Sequence, residues 1–215
     1  MRNDNYDNSG TLFKESIEYK SPRIFVRSGI INYGKESLAY GIQGISGDFQ
    51  FIENAKMLEG RFINLNDEAK TSKVAVIGNK IRKDVFQNVE TPIGELITIS
   101  GIPFKIIGVY SENEDREEER IYIPITTAKN IFKGGERLNN MSFTLPPVVN
   151  FNEAVAQSIA FKEDLREFLQ KTHTVAPDDT SAIRVWSDLE ESKRFFSLIG
   201  NIKFFFWFVG ICTII

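Results

Sequence analysis

The stretch 95–110, ELITISGIPFKIIGVY, constrains this chain more than any other. It is strand-like on both sides of a single glycine, Gly101. Glycine tolerates the left-handed backbone that a tight turn needs, so the pattern predicts a hairpin, with 95–100 running out and 102–110 running back. A lone hairpin is marginal in water and must be extended or covered. The rest of the chain has to supply that cover. With 215 residues it can bury a core without disulfides or metals as staples.

The cover is legible in pieces. Residues 1–20 are polar and patternless. A strand is expected over 23–31, a turn over 32–35 and a return strand over 37–45. The segment 46–72 is mixed. Residues 73–78, KVAVIG, form a short buried strand, and Asn79 caps a short helix with Ile81, Val85 and Phe86 on one face. After the hairpin come a strand over 121–125 and a helix starting at Thr126 or Thr127. A strand over 140–145 is followed by a helix from Asn152, with Ala156, Ile159, Ala160, Leu165, Phe168 and Leu169 near one stripe. The stretch 181–186 reads as a further strand. Ser187 followed by Glu190 matches a capping box, which opens a last long helix. Hairpins outnumber alternating strand and helix units, so the class is α+β.

Reactive constellations are weak. Gly29, Gly34 and Lys35 fit phosphate-loop spacing, but Glu36 stands where a magnesium-binding hydroxyl belongs, so a hairpin turn at Gly34 is the better reading. The acidic run 112–120 lacks the calcium-loop pattern and reads as a solvated hairpin tip. His173 is the one histidine and Cys212 the one cysteine, which leaves no zinc or disulfide spacing. Asp178 and Asp179 are adjacent, and neighbours in an extended segment point to opposite sides. With 26% charged residues and a net charge of −3, no basic face for nucleic acid is implied. The expectation is a chain with no catalytic residues, cofactor or metal. A distant carboxylate pair in a cleft is the enzyme alternative.

The chain begins without the apolar core of a secretory signal. Phe204–Ile215 is an uncharged run of twelve residues. A bilayer crossing takes roughly 20 residues, so 204–215 reads as the beginning of a truncated transmembrane helix, with Lys203 at the membrane surface. A buried core helix is the alternative.

The order of several short words resembles the extracytoplasmic core domain of MacB-like and FtsX-like ABC transporter permeases. The words are Leu58, Gly60, Arg61 and Phe62, then Asp67, VAVIG over 74–78, Phe86, PIG over 92–94 and FKIIGV over 104–109. IQGISGDF upstream, and IYIPITTA and IRVWSDLE downstream, fit the same frame. Gly60 and Gly94 can supply turn geometry. Arg61 can tie a loop to carbonyls or to a carboxylate such as Asp67. With Gly78 and Gly108 these are expected to be structural motif residues. Ser187 and Glu190 are expected to cap a stalk.

The resemblance implies a periplasmic domain between the first two spans of a permease, at the inner membrane. It implies a porter-like subdomain from 20–72 and 138–186, a smaller strand-rich insert over 73–137, and a stalk helix over 187–203. ATP hydrolysis would belong to a separate nucleotide-binding domain or subunit. Permease dimers, homo- or heteromeric, and a periplasmic adaptor or outer-membrane partner are further implied partners. A membrane-anchored ligand-binding or sensor ectodomain is the alternative from another class.

Overall fold

The computed structural model describes residues 3–26, 30–34, 36–112, 119–132, 138–175, 183–196, 198–199 and 202. The chain divides into two compact units, Met1–Thr144 and Leu145–Ile215. The first opens with α1 (Asn3–Leu12), β1 (Tyr19–Val26), β2 (Ile30–Tyr33), β3 (Glu36–Ala39), β4 (Gly41–Ile45) and α2 (Phe49–Ile52). It continues through β5 (Lys56–Gly60), α3 (Leu65–Ala69), β6 (Val74–Gly78), α4 (Asn79–Val85), β7 (Leu96–Ile99) and β8 (Ile102–Ser111). β9 (Arg120–Pro124), α5 (Ile125–Ile131) and β10 (Asn140–Thr144) complete it. The second unit contains α6 (Phe151–His173) and a helical stretch over 188–196.

The central hairpin forms as expected. β7 and β8 pair antiparallel with Ile99 opposite Ile102. The two turn residues, Ser100 and Gly101, both have positive φ, 49° and 83°. This is the mirror-image turn whose twist suits flanking strands. Tyr33 opposite Glu36 closes a second two-residue turn, with Gly34 at φ 58°.

The strands form one mixed sheet in the order β10-β1-β4-β9-β6-β8-β7-β2-β3, with β5 added beside β8. β4 with β9 and β6 with β8 run parallel, and the other pairs are antiparallel. Only Tyr40 lies between β3 and β4, so at most about 7 Å of chain joins them. Yet six neighbour steps separate those strands, about 29 Å across a flat sheet. Both facts hold only if the sheet curls strongly on itself.

The curl encloses one apolar cluster, which includes Val26, Ile31, Ile42, Ile77, Ile97 and Phe104 together with Ile81 and Val85 of α4. The opposite face packs Val76, Tyr110 and Tyr122 with Phe49, Phe62 and Ile63. Strand alternation does the sorting: Ala75 and Ile77 face one cluster and Val76 the other. Tyr19 lies opposite Thr144 in the β1–β10 pair, so the start of the unit's first strand and the end of its last lie side by side.

Several expectations change. Residues 3–12 are helical rather than patternless. Their anchorage is tertiary: Tyr6 packs against the cluster of Ile24, Ile125 and Leu138, its hydroxyl donates to the Lys20 carbonyl, and the Lys20 ammonium lies 4.3 Å from its ring centre. The return strand over 37–45 is two strands, because each half pairs with a different neighbour. Residues 183–187 form no strand, since they have no strand neighbour among the described residues. The buried stripe of α6 runs through Val155, Ser158, Leu165 and Leu169, while Ile159 faces outward. Among the described residues no helix is long and apolar enough to cross a membrane. Residues 204–215, Gly29, Lys35, 113–118, Asp178 and Asp179 lie outside the described residues.

A Cβ at Gly101 would meet open space, so Gly101→Ala tests the backbone alone. It should destabilise the fold by about 1 kcal/mol. Ser100→Asn should stabilise it by a few tenths of that, because asparagine accepts left-handed backbone more readily. Urea midpoints of the two variants should move in opposite directions.

Candidate functional site

β5, with the sequence KMLEG, has to dock on β8, and two glycines let it. Gly60 lies opposite Gly108 in the register. A side chain on Gly60 would collide with the Ile107 carbonyl, and one on Gly108 with the Arg61 carbonyl. Gly60 also has φ 67°, which turns the chain out of the strand. The Arg61 amide then donates to Ile107 O at 2.9 Å. β-Bulges flank the contact: pairing slips between Met57 and Glu59, and between Ala75 and Val76 on the other side of β8. Bulges sharpen twist and re-aim side chains.

Arg61 begins the next layer. Its guanidinium makes a two-pronged pair with Asp67, at 2.6 and 3.0 Å, and also donates to Phe62 O at 3.0 Å. Asp67 is 6% exposed and accepts from the Asn64 amide at 3.1 Å. Asn64 in turn accepts from the amides of Asn66 and Asp67, which closes a reciprocal capping box on α3. The hydrogen bond from Arg61 holds the Asp67 carboxyl below its ordinary range. The signal missed in the sequence is the Asn-x-x-Asp spacing of 64–67, a variant of the box sought only at Ser187. Thr126 and Thr127 of α5 donate to the carbonyls of Glu68 and Ser72, fastening α3 to α5.

Two further glycines expected to be structural, Gly94 and Gly78, have fixed places as well. Gly94, at φ 96°, donates its amide to Ile106 O. Gly78 ends β6 opposite Tyr110 and provides the N-cap of α4. Gly60, Arg61, Asp67 and Gly108 thus meet at one place, while Gly94 is tied to β8 through Ile106 and Gly78 closes β6. The arrangement fixes backbone against backbone. Among the described residues no cluster of histidine, cysteine or carboxylate could hold a metal.

A polar chain lies beneath the second apolar cluster. Tyr122 donates to Glu112 at 3.2 Å, and Tyr110 donates to Arg120 O at 3.1 Å. The two phenol rings stack 4.8 Å apart. Arg23 donates to Glu53 at 3.0 Å and lies over the Phe49 ring. Burial, with repulsion from Glu53, pushes the Glu112 carboxyl up to about 7, against the opposing pull of Tyr122, Arg120 and Arg23. Burial raises both phenols and lowers Arg23.

Ser187 and Glu190 belong to the second unit. Ser187 Oγ accepts from the Glu190 amide at 3.4 Å, so half of the expected box is present. The Glu190 carboxylate goes elsewhere: it accepts twice from Lys162 of α6, both at 2.9 Å. Ser187 and Ser158 share a hydroxyl contact of 2.6 Å. The start of the 188–196 helix is therefore clamped to α6 at two points four residues apart on that helix. Lys162 was not singled out in the sequence, where nothing marks one helix lysine from another.

Gly108→Ala forces a backbone carbonyl to move and should cost about 3 kcal/mol or more, whereas Arg61→Lys, which keeps charge but loses the fork, should cost about 1 kcal/mol. Chemical denaturation ranks them. The Glu112 shift fixes a pH dependence. Its folded pKa lies above the unfolded value, so the stability it contributes is complete below about 4.5 and is lost as pH rises towards 7. Glu68, raised by burial, acts in the same direction. Asp67, with a lowered pKa, contributes above its unfolded value and is lost in acid. Glu112→Gln should flatten the fall between pH 5 and 8 and be the more stable form at pH 8, by on the order of 1–2 kcal/mol.

Comparison with known proteins gives this geometry a family. The MacB-like periplasmic core domain family matches residues 5–160. The macrolide export ATP-binding/permease protein MacB of Mannheimia succiniciproducens is 26% identical over 223 residues, covering 100% of this chain and 33% of that protein. The pyoverdine export ATP-binding/permease protein PvdT of Pseudomonas entomophila is 31% identical over 104 residues, covering 46% of this chain and 16% of that protein. The chain therefore spans a third or less of the length of these relatives. The crystal structure of the periplasmic region of MacB from Actinobacillus actinomycetemcomitans superposes with TM-score 0.67 at 26% identity, covering 79% of this chain and 74% of that one. The extracellular domain of the transporter YknZ from Gram-positive bacteria shares the fold, with TM-score 0.68 at 17% identity, over 82% and 86% of the two chains. With this match over most of its length, the chain belongs to the MacB-like periplasmic core domain family.

Proposed function

We propose that this chain is the periplasmic part of an ABC exporter permease at the inner membrane, and that it transmits motion rather than performing chemistry. The carrying observation is the family match over 5–160 together with the clamp between Ser158 and Lys162 on α6 and Ser187 and Glu190 at the helix that follows. The names of the relatives join an ATP-binding part to a permease. ATP would accordingly be hydrolysed outside this chain, and the motion would enter through its stalk. Residues 187–203 serve as that stalk and 204–215 as the start of its membrane helix. The permease works as a dimer, with an adaptor or outer-membrane partner as a further contact.

The porter-like part consists of 20–72 and 138–186, with 73–137 as the insert. In support, the four strands of 73–137 are consecutive neighbours in the sheet, β9-β6-β8-β7. Relatives named for macrolide and for pyoverdine export match at similar identity. That supports a shared mechanism more than a shared cargo, and the cargo class proposed here is a large secreted metabolite of that kind.

The test uses the full transporter in proteoliposomes. Lys162→Gln with Glu190→Gln should lower substrate export severalfold per ATP hydrolysed, with ATP turnover kept. Swapping the charges, Lys162→Glu with Glu190→Lys, should restore part of it. Unchanged export per ATP in the first variant would refute the transmission role of this clamp.

A further inference from the structure

Beside the clamp the second unit has an open groove of about 320 Å³, lined by Lys162, Arg166, Arg184, Trp186, Glu190 and Arg194 among others. Lys162 and Glu190 satisfy each other. That leaves three guanidiniums facing one remaining carboxylate, Glu191. None of the three arginines makes an ion pair among the described residues. The Nε of Arg166 is buried and has no hydrogen-bond partner. Such a donor is costly to leave unpaired unless something fills its place. Trp186 stands at the rim, 73% exposed, and presents an apolar ring with a polar N–H.

Each feature selects a ligand property. Unpaired guanidiniums favour a planar or tetrahedral oxyanion that accepts several N–H bonds, phosphate above all. An exposed tryptophan at the rim favours an anion attached to an apolar body, as at a membrane–water interface. Lysine would supply a point charge, whereas three arginines supply forks, so geometry as well as charge is recognised.

We propose that this groove binds the phosphate of an anionic lipid headgroup, with Arg166, Arg184 and Arg194 holding the oxyanion and Trp186 resting at the acyl boundary. The lipid as source rests on the reading that 204–215 enters a bilayer. The phosphate chemistry does not. Bound there, a headgroup would sit against the residues that clamp the helix over 188–196, so lipid charge would bear on the stalk.

The experiment uses the whole chain carrying Trp207→Phe, which leaves Trp186 as its one tryptophan. Trp186 emission is titrated with vesicles of phosphatidylcholine alone and with vesicles containing phosphatidylglycerol. Binding to the anionic vesicles should be at least tenfold tighter and should weaken with salt. Each arginine changed to glutamine should cost about fivefold of that preference. Arg184→Gln alone, at an exposed position, guards against a folding artefact in the triple variant. Anionic preference that is absent, or that survives loss of all three arginines, overturns the proposal. If inorganic phosphate at millimolar concentration quenches Trp186 in an arginine-dependent way while vesicles show no preference, the lipid source is overturned and free phosphate takes its place. Binding to the neutral vesicles reports on 204–215 independently. Its failure alone would count against the membrane reading and not against the groove.

Discussion

A single residue, Tyr40, joins two strands that stand six places apart in the sheet order, and the rest of the first unit follows from that. The long excursion of 19–45 contributes to both ends of the sheet, so the sheet must bend until those ends meet. Bending needs strong local twist, which the two bulges on either side of β8 supply. Gly60 with Gly108 lets β5 and the Arg61 backbone come close enough to dock on β8. The apolar cluster of Ile77, Ile97 and Phe104 is enclosed as a result, because no flat sheet could surround it from one side.

Gly60, Gly108, Arg61 and Asp67 are the fastenings of β5 on this curved sheet. Arg61 and Asp67 add a rigid corner where the chain leaves β5, and the Asn64 box turns that corner into the first turn of α3. Glu112 sits in the same body but works against it at neutral pH, since a carboxylate half-sequestered beneath two stacked phenols is easier to keep protonated. The second unit holds its charged pairs in a different manner. Lys162 is matched to Glu190, while its neighbouring arginines make no ion pair among the described residues.

Much of this architecture could be read from residue order. The hairpin around Gly101 was legible because its strands are local and its turn residue is distinctive. β6 and α4 were legible for the same reason, with an apolar run followed by a periodic one. The α1 helix was not, because its own pattern is weak and Tyr6 earns its place only through Lys20 and the distant Ile24, Ile125 and Leu138. The splitting of 37–45 into β3 and β4 was hidden too, since strand identity there depends on which neighbour each half meets. Of the motif residues, Arg61 and Asp67 could be paired on charge and spacing alone. The partnership of Gly60 with Gly108 could not, because 48 positions separate them and only the fold brings them together. Lys162 was invisible for the opposite reason: solvent-facing lysines on helices are common, and only the carboxylate across from it marks this one.

The β1–β10 pair carries one more implication. Tyr19 and Thr144 are partners, so the start of the unit's first strand and the end of its last form a stem that opens at one end. Tension between those strands would load their hydrogen bonds one after another, as in opening a zip, and such a stem yields at small force. The same pair would withstand far more from a force along the strands, which loads its hydrogen bonds together.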